Sequence, residues 1–194
     1  MTSSDLRFVD WLAGDLAARG ARFAFGVPGG GVSLDILAAA ASAGMQTVVT
    51  AREDAAAMMA GVAGRLACAP GLAFSTKGPG FASATNGLAS ALLDRMPVLF
   101  ATESFDRAEL EFLSHQVFDQ AALARGLFQG VGVSRSSVLQ PDAEAVSKAL
   151  DRMMAAPMGP AVLLAEPDGM LVPVTAPPAA RPAAPPPPDA AALD

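Results

Sequence analysis

Short apolar runs alternate along the chain with longer stretches rich in alanine and leucine. The short runs have the length and β-prone composition of buried strands, and they lie at 22–26, 46–50, 71–75, 97–102, 128–133 and 161–165. The longer stretches predict helices, at 33–43, 52–67, 81–93, 106–113, 116–124 and 142–155. This alternation is typical of an α/β fold, a parallel sheet with helices on both faces.

The first helix is predicted ahead of the first strand. Phe8, Leu12 and Leu16 recur at helical spacing, and Ser4 is a suitable N-cap for them. After the helix predicted at 33–43, Gly44 is expected to stop the helix, because glycine readily adopts the left-handed conformation that ends helices.

The chain changes character after residue 172. Proline cannot occupy a core helix or a central strand, and prolines crowd this end at 173, 177, 178, 182 and 185–188. We therefore expect one domain at 1–172 and an extended Pro/Ala-rich linker at 173–194. Asp189 is followed by three alanines and a leucine, the pattern of a capped helix start, so the linker is expected to lead towards an absent middle domain. A disordered tail is the alternative.

Composition narrows the function classes. The hydrophobic fraction of 52% is ample for a core, and 13 Lys and Arg against 19 Asp and Glu argue against nucleic acid as a partner. Cys68 is the only cysteine, no signal-peptide pattern opens the chain, and no apolar run reaches membrane-spanning length. We expect a soluble cytoplasmic protein, and no His, Cys, Asp and Glu spacing predicts a metal site.

Candidate chemistry follows the predicted strands, where open α/β sheets bind ligands. The loop 27–31 reads Val-Pro-Gly-Gly-Gly, and its glycines allow a ligand close to the backbone. Glu53 lies near the start of an alanine-rich helix, where small apolar neighbours would raise its pKa and permit proton exchange near neutrality. The helix dipole alone also explains an acid there. Asp54 points about 100° round the helix and need not share the role.

Two further segments complete the set. Thr-Lys-Gly-Pro-Gly at 76–80 predicts a rigid turn, with Asn86 in the helix that follows. The last group comprises His115, Gln116, Asp119 and Gln120. His115 is the only histidine, and a lone surface histidine is more often incidental than catalytic.

Taken in order, these segments resemble the N-terminal pyrimidine-binding (PYR) domain of thiamine-diphosphate enzymes similar to acetolactate synthase. The matching stretches are FAFGVPGG from residue 23, AREDAAAMMAGVAGR from 51, STKGPGFASATNGLASALLDRMPVLFATE from 75, HQVFDQAAL from 115 and GPAVLLAEPDG from 159. The resemblance covers roughly residues 5–170 and implies the thiamine-diphosphate-binding fold of that domain.

The resemblance also implies a mechanism. Glu53 falls on the glutamate that contacts N1′ of the cofactor's aminopyrimidine, so that the 4′-imine can take the proton from C2 of the thiazolium. The activated cofactor then acts on a 2-keto acid, by decarboxylation or carboligation. The implied cofactor-binding residues are Pro28, Gly29, Gly30, Glu53, Thr76, Gly78, Pro79, Gly80 and Asn86. The implied substrate-side residues are His115 and Gln116.

Three positions depart from the family pattern and bear on substrate preference. Arg52 stands where histidine is common, Lys77 where serine usually precedes Gly-Pro-Gly, and Ala63 where an aromatic is often found. The family holds the diphosphate and Mg²⁺ through a Gly-Asp-Gly motif in a separate PP domain, and this chain contains no Gly-Asp-Gly. We therefore expect an enzyme only in assembly with the PP domain of another subunit or chain, as a homodimer or tetramer. Whether FAD binds is left open.

Other interpretations remain. One is a separate α subunit of a two-chain 2-oxo-acid decarboxylase, similar to sulfopyruvate decarboxylase, although the Pro/Ala-rich tail argues against it. Another is a dinucleotide-binding module, since Glu53 lies 22 residues after Gly31, near the ~20 expected for a ribose-binding acid. The glycine spacing does not fit that fingerprint. A catalytically inert assembly domain is disfavoured by the presence of Glu53.

Overall fold

The computed structural model describes residues 6–105, 116–128, 138–139 and 141–174. Its strands are β1 (Leu6–Arg7), β2 (Phe23–Val27), β3 (Gln46–Val49), β4 (Gly71–Ser75), β5 (Val98–Glu103), β6 (Val138–Leu139), β7 (Ala161–Ala165) and β8 (Pro173–Val174). Its helices are α1 (Phe8–Ala18), α2 (Val32–Ser42), α3 (Glu53–Ala67), α4 (Pro79–Leu93), α5 (Gln120–Phe128), α6 (Ala143–Met154) and α7 (Pro167–Leu171). No helix in these ranges is long and apolar enough to cross a membrane.

The main sheet has six strands in the order β3-β2-β4-β5-β7-β6. Every neighbouring pair is parallel. All residues of β4, β5 and β7 are buried, because these strands have neighbours on both sides and helices above and below. The predicted α/β fold is confirmed.

Two apolar cores lie on opposite faces of the sheet. Helices α1, α2 and α6 pack on one face around Trp11 and Phe74, and α3, α4 and α5 pack on the other around Phe81 and Phe100. Successive strand residues point to opposite faces, so each strand feeds both cores. The prediction of helices on both faces is therefore confirmed.

The strand order creates a crevice between β2 and β4. From β2 the chain runs through α2, on the first face, to β3. On the other side of β2, β4 continues into α4 on the second face. The carboxyl ends of β2 and β4 therefore form a topological switch point, the place where doubly wound sheets bind ligands.

The Ala-rich character of α3 allows close packing against α4. Ala56, Ala57 and Ala60 are fully buried. A Cβ atom added to Gly87 of α4 would lie 2.8 Å from Cβ of Ala57. Small residues on both helices thus bring the two backbones together, and this places the start of α3 beside the start of α4.

Some predicted elements were wrong in their position. The helix expected at 116–124 instead spans Gln120–Phe128, because Asp119 caps it by accepting the backbone N–H of Ala122 at 2.7 Å. Gln116 has a left-handed φ of 68°, which a helix interior does not accommodate. The strand expected at 128–133 is wrong at Phe128, which is the last residue of α5. Residues 129–133 lie outside the described ones. The helix expected at 106–113 also lies outside them.

The two ends of the domain meet in a small antiparallel pair. Leu6 pairs with Val174 and Arg7 with Pro173. Two residues that the sequence analysis placed in the linker thus form an edge strand, a position that tolerates proline. Helix α1 begins at Phe8, and Ser4 lies outside the described residues, as do residues 175–194.

Candidate functional site

Two glycine-rich loops meet where β2 and β4 end. The first loop occupies residues 28–31 and the second occupies 76–78. A Cβ atom on Gly29 would lie 2.5 Å from Cγ2 of Thr76, closer than real Cβ contacts come. Glycine at position 29 therefore allows the two loops to touch.

Glu53 lies beside the second loop. It is the first residue of α3, and its side chain is half-buried. A Cβ atom on Gly80 would lie 3.5 Å from Oε1 of Glu53 and 2.6 Å from Oγ1 of Thr76. The glycine thus keeps a side chain out of the space between the carboxylate and the loop. The position in the first helical turn also favours an acidic residue, through the helix dipole.

The Gly-Pro-Gly segment is the entry of a helix rather than an isolated turn. The helix predicted to begin at Phe81 instead begins at Pro79, with Gly78 as its N-cap. Proline is favoured at the first helical position, because its fixed φ suits the helix and an N–H there would have no partner within it. Gly78 has a positive φ of 66°, which explains the glycine before the proline.

Buried hydroxyl groups fix both loops. The Thr102 hydroxyl donates to the carbonyl of Thr76 at 3.0 Å. In the first loop, the Ser33 hydroxyl donates to the carbonyl of Gly30 at 2.7 Å and accepts the N–H of Gly29 at 3.2 Å. Thr102 and Ser33 are fully buried, so water does not compete for these bonds.

Asp54 is buried and hydrogen-bonded, although the sequence analysis gave it no role. Arg52 donates to both of its carboxylate oxygens, at 2.9 and 2.8 Å, and the N–H of Ala55 donates at 2.8 Å. The Arg52 guanidinium, helped by Ala55 and Asn86, lowers the pKa of Asp54 to about 2, against an opposing effect of burial. Arg52, the departure from the usual histidine, therefore serves as the partner of Asp54.

The remaining predicted site residues lie on the first loop, on α4 and before α5. Asn86 is exposed, and its amide lies 3.4 Å from Oδ2 of Asp54, so it joins α4 to α3. Pro28 is half-buried in the first loop. Gln116 is exposed, and its backbone carbonyl crowds the position of a Cβ on Gly78. His115 lies outside the described residues.

Glu103 was missed, although its carboxylate contacts both glycine-rich loops. It is the last residue of β5 and is buried. Its Oε2 accepts the N–H of Val32 at 3.1 Å, and its Oε1 forms an ion pair with Lys77. A carboxylate at the end of an apolar strand was the available signal, but the predicted strand stopped one residue short of it.

Gln120 was among the candidate residues, but its contacts were not predicted. It is buried at the start of α5. Its side-chain amide donates to the carbonyl of Glu103 at 3.0 Å, and its Oε1 accepts the N–H of Gly78 at 2.8 Å. Within the described ranges, no three His, Cys, Asp or Glu side chains are grouped so that they could hold a metal ion.

Comparison with known families identifies the family to which the domain belongs. The family described as "Thiamine pyrophosphate enzyme, N-terminal TPP binding domain" matches residues 6–123, more than half of the chain. The chain belongs to this family. Both glycine loops and Glu53 lie within the matched residues, and membership favours thiamine diphosphate over a dinucleotide as the ligand.

The curated relatives are acetolactate synthases. The chain is 33% identical over 108 residues to "Acetolactate synthase" of Bacillus subtilis (strain 168), covering 56% of this chain and 19% of the relative. It is 30% identical over 141 residues to "Acetolactate synthase, catabolic" of Raoultella terrigena, covering 72% and 24%. It is 35% identical over 92 residues to "Acetolactate synthase isozyme 2 large subunit" of Escherichia coli (strain K12), covering 47% and 17%. The matched region spans a quarter or less of each relative's length.

The residues at the switch point fit the pyrimidine end of thiamine diphosphate. A ring that carries nitrogen donors and acceptors needs a carboxylate at its edge and an open surface for its face. Glu53 offers the carboxylate, and the missing side chain of Gly80 leaves space beside it. A Cβ there would fill part of this space and press on Thr76.

Proposed function

We propose that this chain is the pyrimidine-binding half of the active site of a thiamine-diphosphate enzyme that acts on 2-keto acids, by decarboxylation, carboligation or both. The observation that carries the proposal is the half-buried Glu53 carboxylate, which faces the space kept open by Gly80 at the switch point of the sheet. The acetolactate synthase relatives support the 2-keto acid class of substrate.

The role of Glu53 is to hold a proton at N1′ of the aminopyrimidine. When bound, thiamine diphosphate supplies an acidic thiazolium carbon and an electron sink for the electron pair that remains when the carbon–carbon bond to the carboxyl group breaks. A carboxylate that its helix and the neighbouring loop hold in one place can meet N1′ in a single geometry, which proton exchange with the ring requires. The loop residues Pro28, Gly29 and Gly30, together with Thr76 and Gly78, would surround the ring.

The diphosphate and its Mg²⁺ would be held by a PP domain, in the same polypeptide or in a second one. The small share of each relative that the chain matches supports a larger assembly. Native mass spectrometry of the protein from its own source, followed by denaturation, tests this. A chain of about 60 kDa, three ordinary domains, that releases thiamine diphosphate supports one polypeptide. A chain near 20 kDa with a second chain and the same cofactor supports a separate α subunit, and release of no cofactor contradicts the proposal.

A homodimer or tetramer is the proposed form of the assembly. An open apolar groove of about 630 Å³ lies between α3 and β2, away from the glycine loops. Met58, Met59, Val62 and Leu66 project from α3 along it and are exposed. Contiguous apolar surface of this kind marks a protein contact. Leu66→Glu is expected to shift the native mass towards smaller species, and an unchanged mass distribution would argue against this face as the contact.

The proposed role of Glu53 is tested in the complete assembly with Glu53→Gln. Glutamine keeps the shape of the side chain but cannot hold the proton, so turnover of the 2-keto acid is expected to fall by about 10²–10⁴. The matched control is Glu144→Gln, because Glu144 also lies in the first turn of a helix, α6, and shares the dipole interaction. The proposed role is contradicted if Glu53→Gln leaves turnover unchanged while both variants melt near the temperature of the native protein.

A further inference from the structure

Glu103 contacts both glycine loops with one carboxylate. From the end of β5 it accepts the N–H of Val32, at the start of α2, at 3.1 Å, and it pairs with Lys77 of the second loop. The fit is close, since a Cβ atom on Gly31 would overlap the carboxylate. Only 8% of the Glu103 side chain and 22% of the Lys77 side chain are exposed. The pair is therefore an internal part of the site rather than a surface contact.

The backbone of Glu103 holds the same loop a second time. Its carbonyl accepts the side-chain amide of Gln120 at 3.0 Å, and Gln120 in turn accepts the N–H of Gly78 at 2.8 Å. Lys77 and Gly78 are adjacent, so the end of β5 fixes two consecutive residues of the loop. The ammonium of Lys77 is also held 4.9 Å from the centre of the Phe105 ring, a distance at which a cation is attracted to the ring face.

Stability alone is a poor explanation for these contacts. Removing two charges from water costs about as much as their attraction returns, and apolar residues of the same size are often as stabilising. Such a pair does, however, fix the direction of both side chains, because movement of either one would leave the buried charge of the other without a partner. Fixed geometry matters here, since the loop that Lys77 and Gly78 belong to leads directly to Gly80, opposite Glu53.

We propose that Glu103 and Lys77, with Gln120, are positioning residues. They hold the second loop and the start of α4, residues 76–80, in the geometry that receives the pyrimidine end of the cofactor. The inference rests on the proposed function and deepens it. Glu103 acts through the two loops, and Lys77 is occupied by Glu103 rather than presented as a free cation. The loop is thus ordered before the ligand binds, so the ligand does not have to order it.

The first test needs no cofactor. Hydrogen exchange of the backbone amides in the peptide that contains residues 76–80 is compared in the native protein, Glu103→Gln and Lys77→Met. Both variants keep side-chain size, and both are expected to exchange about tenfold faster in this peptide, as loss of a coupled contact implies. Asp151→Asn is the control, because it breaks the Arg19–Asp151 pair between α1 and α6, which lies by the amino ends of the strands. Exchange at 76–80 that does not change in Glu103→Gln and Lys77→Met overturns the inference.

The second test measures thiamine diphosphate in the complete assembly. Each single variant is expected to raise the KM for thiamine diphosphate about tenfold, with a smaller change in kcat, and the double variant to raise it by less than the product of the two. Lys77→Arg keeps the charge and is expected to restore most of the affinity. Asp151→Asn should lower the melting temperature without changing the KM. Independent, multiplicative effects of Glu103→Gln and Lys77→Met count against a positioning pair.

The two proposals fail in different ways. If the native assembly binds no thiamine diphosphate but exchange at 76–80 responds to Glu103→Gln, the proposed function fails and the loop-holding role stands for another ligand. If thiamine diphosphate binds and Glu53→Gln abolishes turnover, while Glu103→Gln and Lys77→Met leave exchange and KM unchanged, only the positioning role fails.

Discussion

The side-chain amide of Asn86 lies 3.4 Å from Oδ2 of Asp54. This contact joins the first turn of α3 to α4, one residue along the chain from Glu53. The same carboxylate is held by Arg52 from the residue before α3. These contacts thus anchor the backbone of Asp54, the residue that follows Glu53. The Glu53 carboxylate takes no part in these contacts and lies beside Gly80.

Asp54→Asn is expected to lower the free energy of unfolding at pH 7 by about 1–2 kcal/mol, because hydrogen bonds to a charged group are lost. The pKa of Asp54 in the folded protein is about 2, below the ~3.9 of an unfolded aspartate. Its contribution is therefore fully present above about pH 4 and is lost as the pH falls towards 2. Urea unfolding of both proteins between pH 7 and pH 3 should show the difference shrinking below pH 4.

The control for this prediction is Asp168→Asn, on an exposed residue of α7. Its effect on the free energy of unfolding should be within about 0.5 kcal/mol, as for most surface substitutions. A difference between native protein and Asp54→Asn that stays constant from pH 7 to pH 3 would contradict the role of the Arg52–Asp54 contact.

Gly80→Ala is expected to weaken thiamine diphosphate binding in the complete assembly. The new Cβ would lie 2.6 Å from Oγ1 of Thr76 and 3.5 Å from Oε1 of Glu53, so it narrows the space between them. Gly126→Ala is the matched control, since Gly126 also lies within a helix and an added Cβ meets nothing within 4 Å. That variant should gain about 0.5–1 kcal/mol of stability with unchanged affinity. Equal affinities of the two variants, measured by calorimetry, would contradict a ligand surface at Gly80.

The fold could be predicted because its central strands, β4, β5 and β7, are buried on both sides. Such strands are continuous apolar runs, and 71–75 and 161–165 match the observed bounds of β4 and β7. Prediction failed where polar capping decides the boundary. Gln116 and Gln120 have the same helix propensity, so propensity alone does not tell which of them begins the helix. The hydrogen bond that the Asp119 carboxylate accepts from the N–H of Ala122 determines where α5 begins.

The site could be predicted only in part. Glycines and an acid directly after strands predicted that the two loops and Glu53 lie near one another, and in the structure they do. The contacts of Glu103 depend on segments that are distant in sequence, since Val32 begins α2, Lys77 lies in the second loop and Gln120 begins α5. No local pattern contains that information, and the contact between Asp54 and Asn86, which lie on different helices, was likewise missed.

Gly31→Ala is expected to be more destabilising than Gly44→Ala. Both glycines have a positive φ, of 51° and 85°, so both substitutions carry a backbone cost of about 1–3 kcal/mol, which is larger at Gly31 because its ψ of −136° lies outside the left-handed helical region. A Cβ on Gly44 meets nothing within 4 Å, whereas a Cβ on Gly31 overlaps the carboxylate of Glu103. The additional loss should therefore shrink when Glu103 is shortened to alanine in the same chain. Equal losses in Gly31→Ala and Gly44→Ala, measured by denaturant unfolding, would show that the Glu103 carboxylate does not press on the first loop.

Asp142→Ala tests whether stability and ligand binding are separable in this fold. Asp142 caps α6 by accepting the N–H of Ala145 at 2.7 Å, and loss of such a cap costs about 0.5–2 kcal/mol. Asp142→Asn retains the accepting oxygen and should keep most of that stability. Helix α6 packs on the face of the sheet opposite α3 and α4, so the KM for thiamine diphosphate should be unchanged in both variants. A raised KM in Asp142→Ala would mean that any loss of stability loosens the loops, and the effects predicted for Gly80→Ala would then no longer be evidence of a local contact.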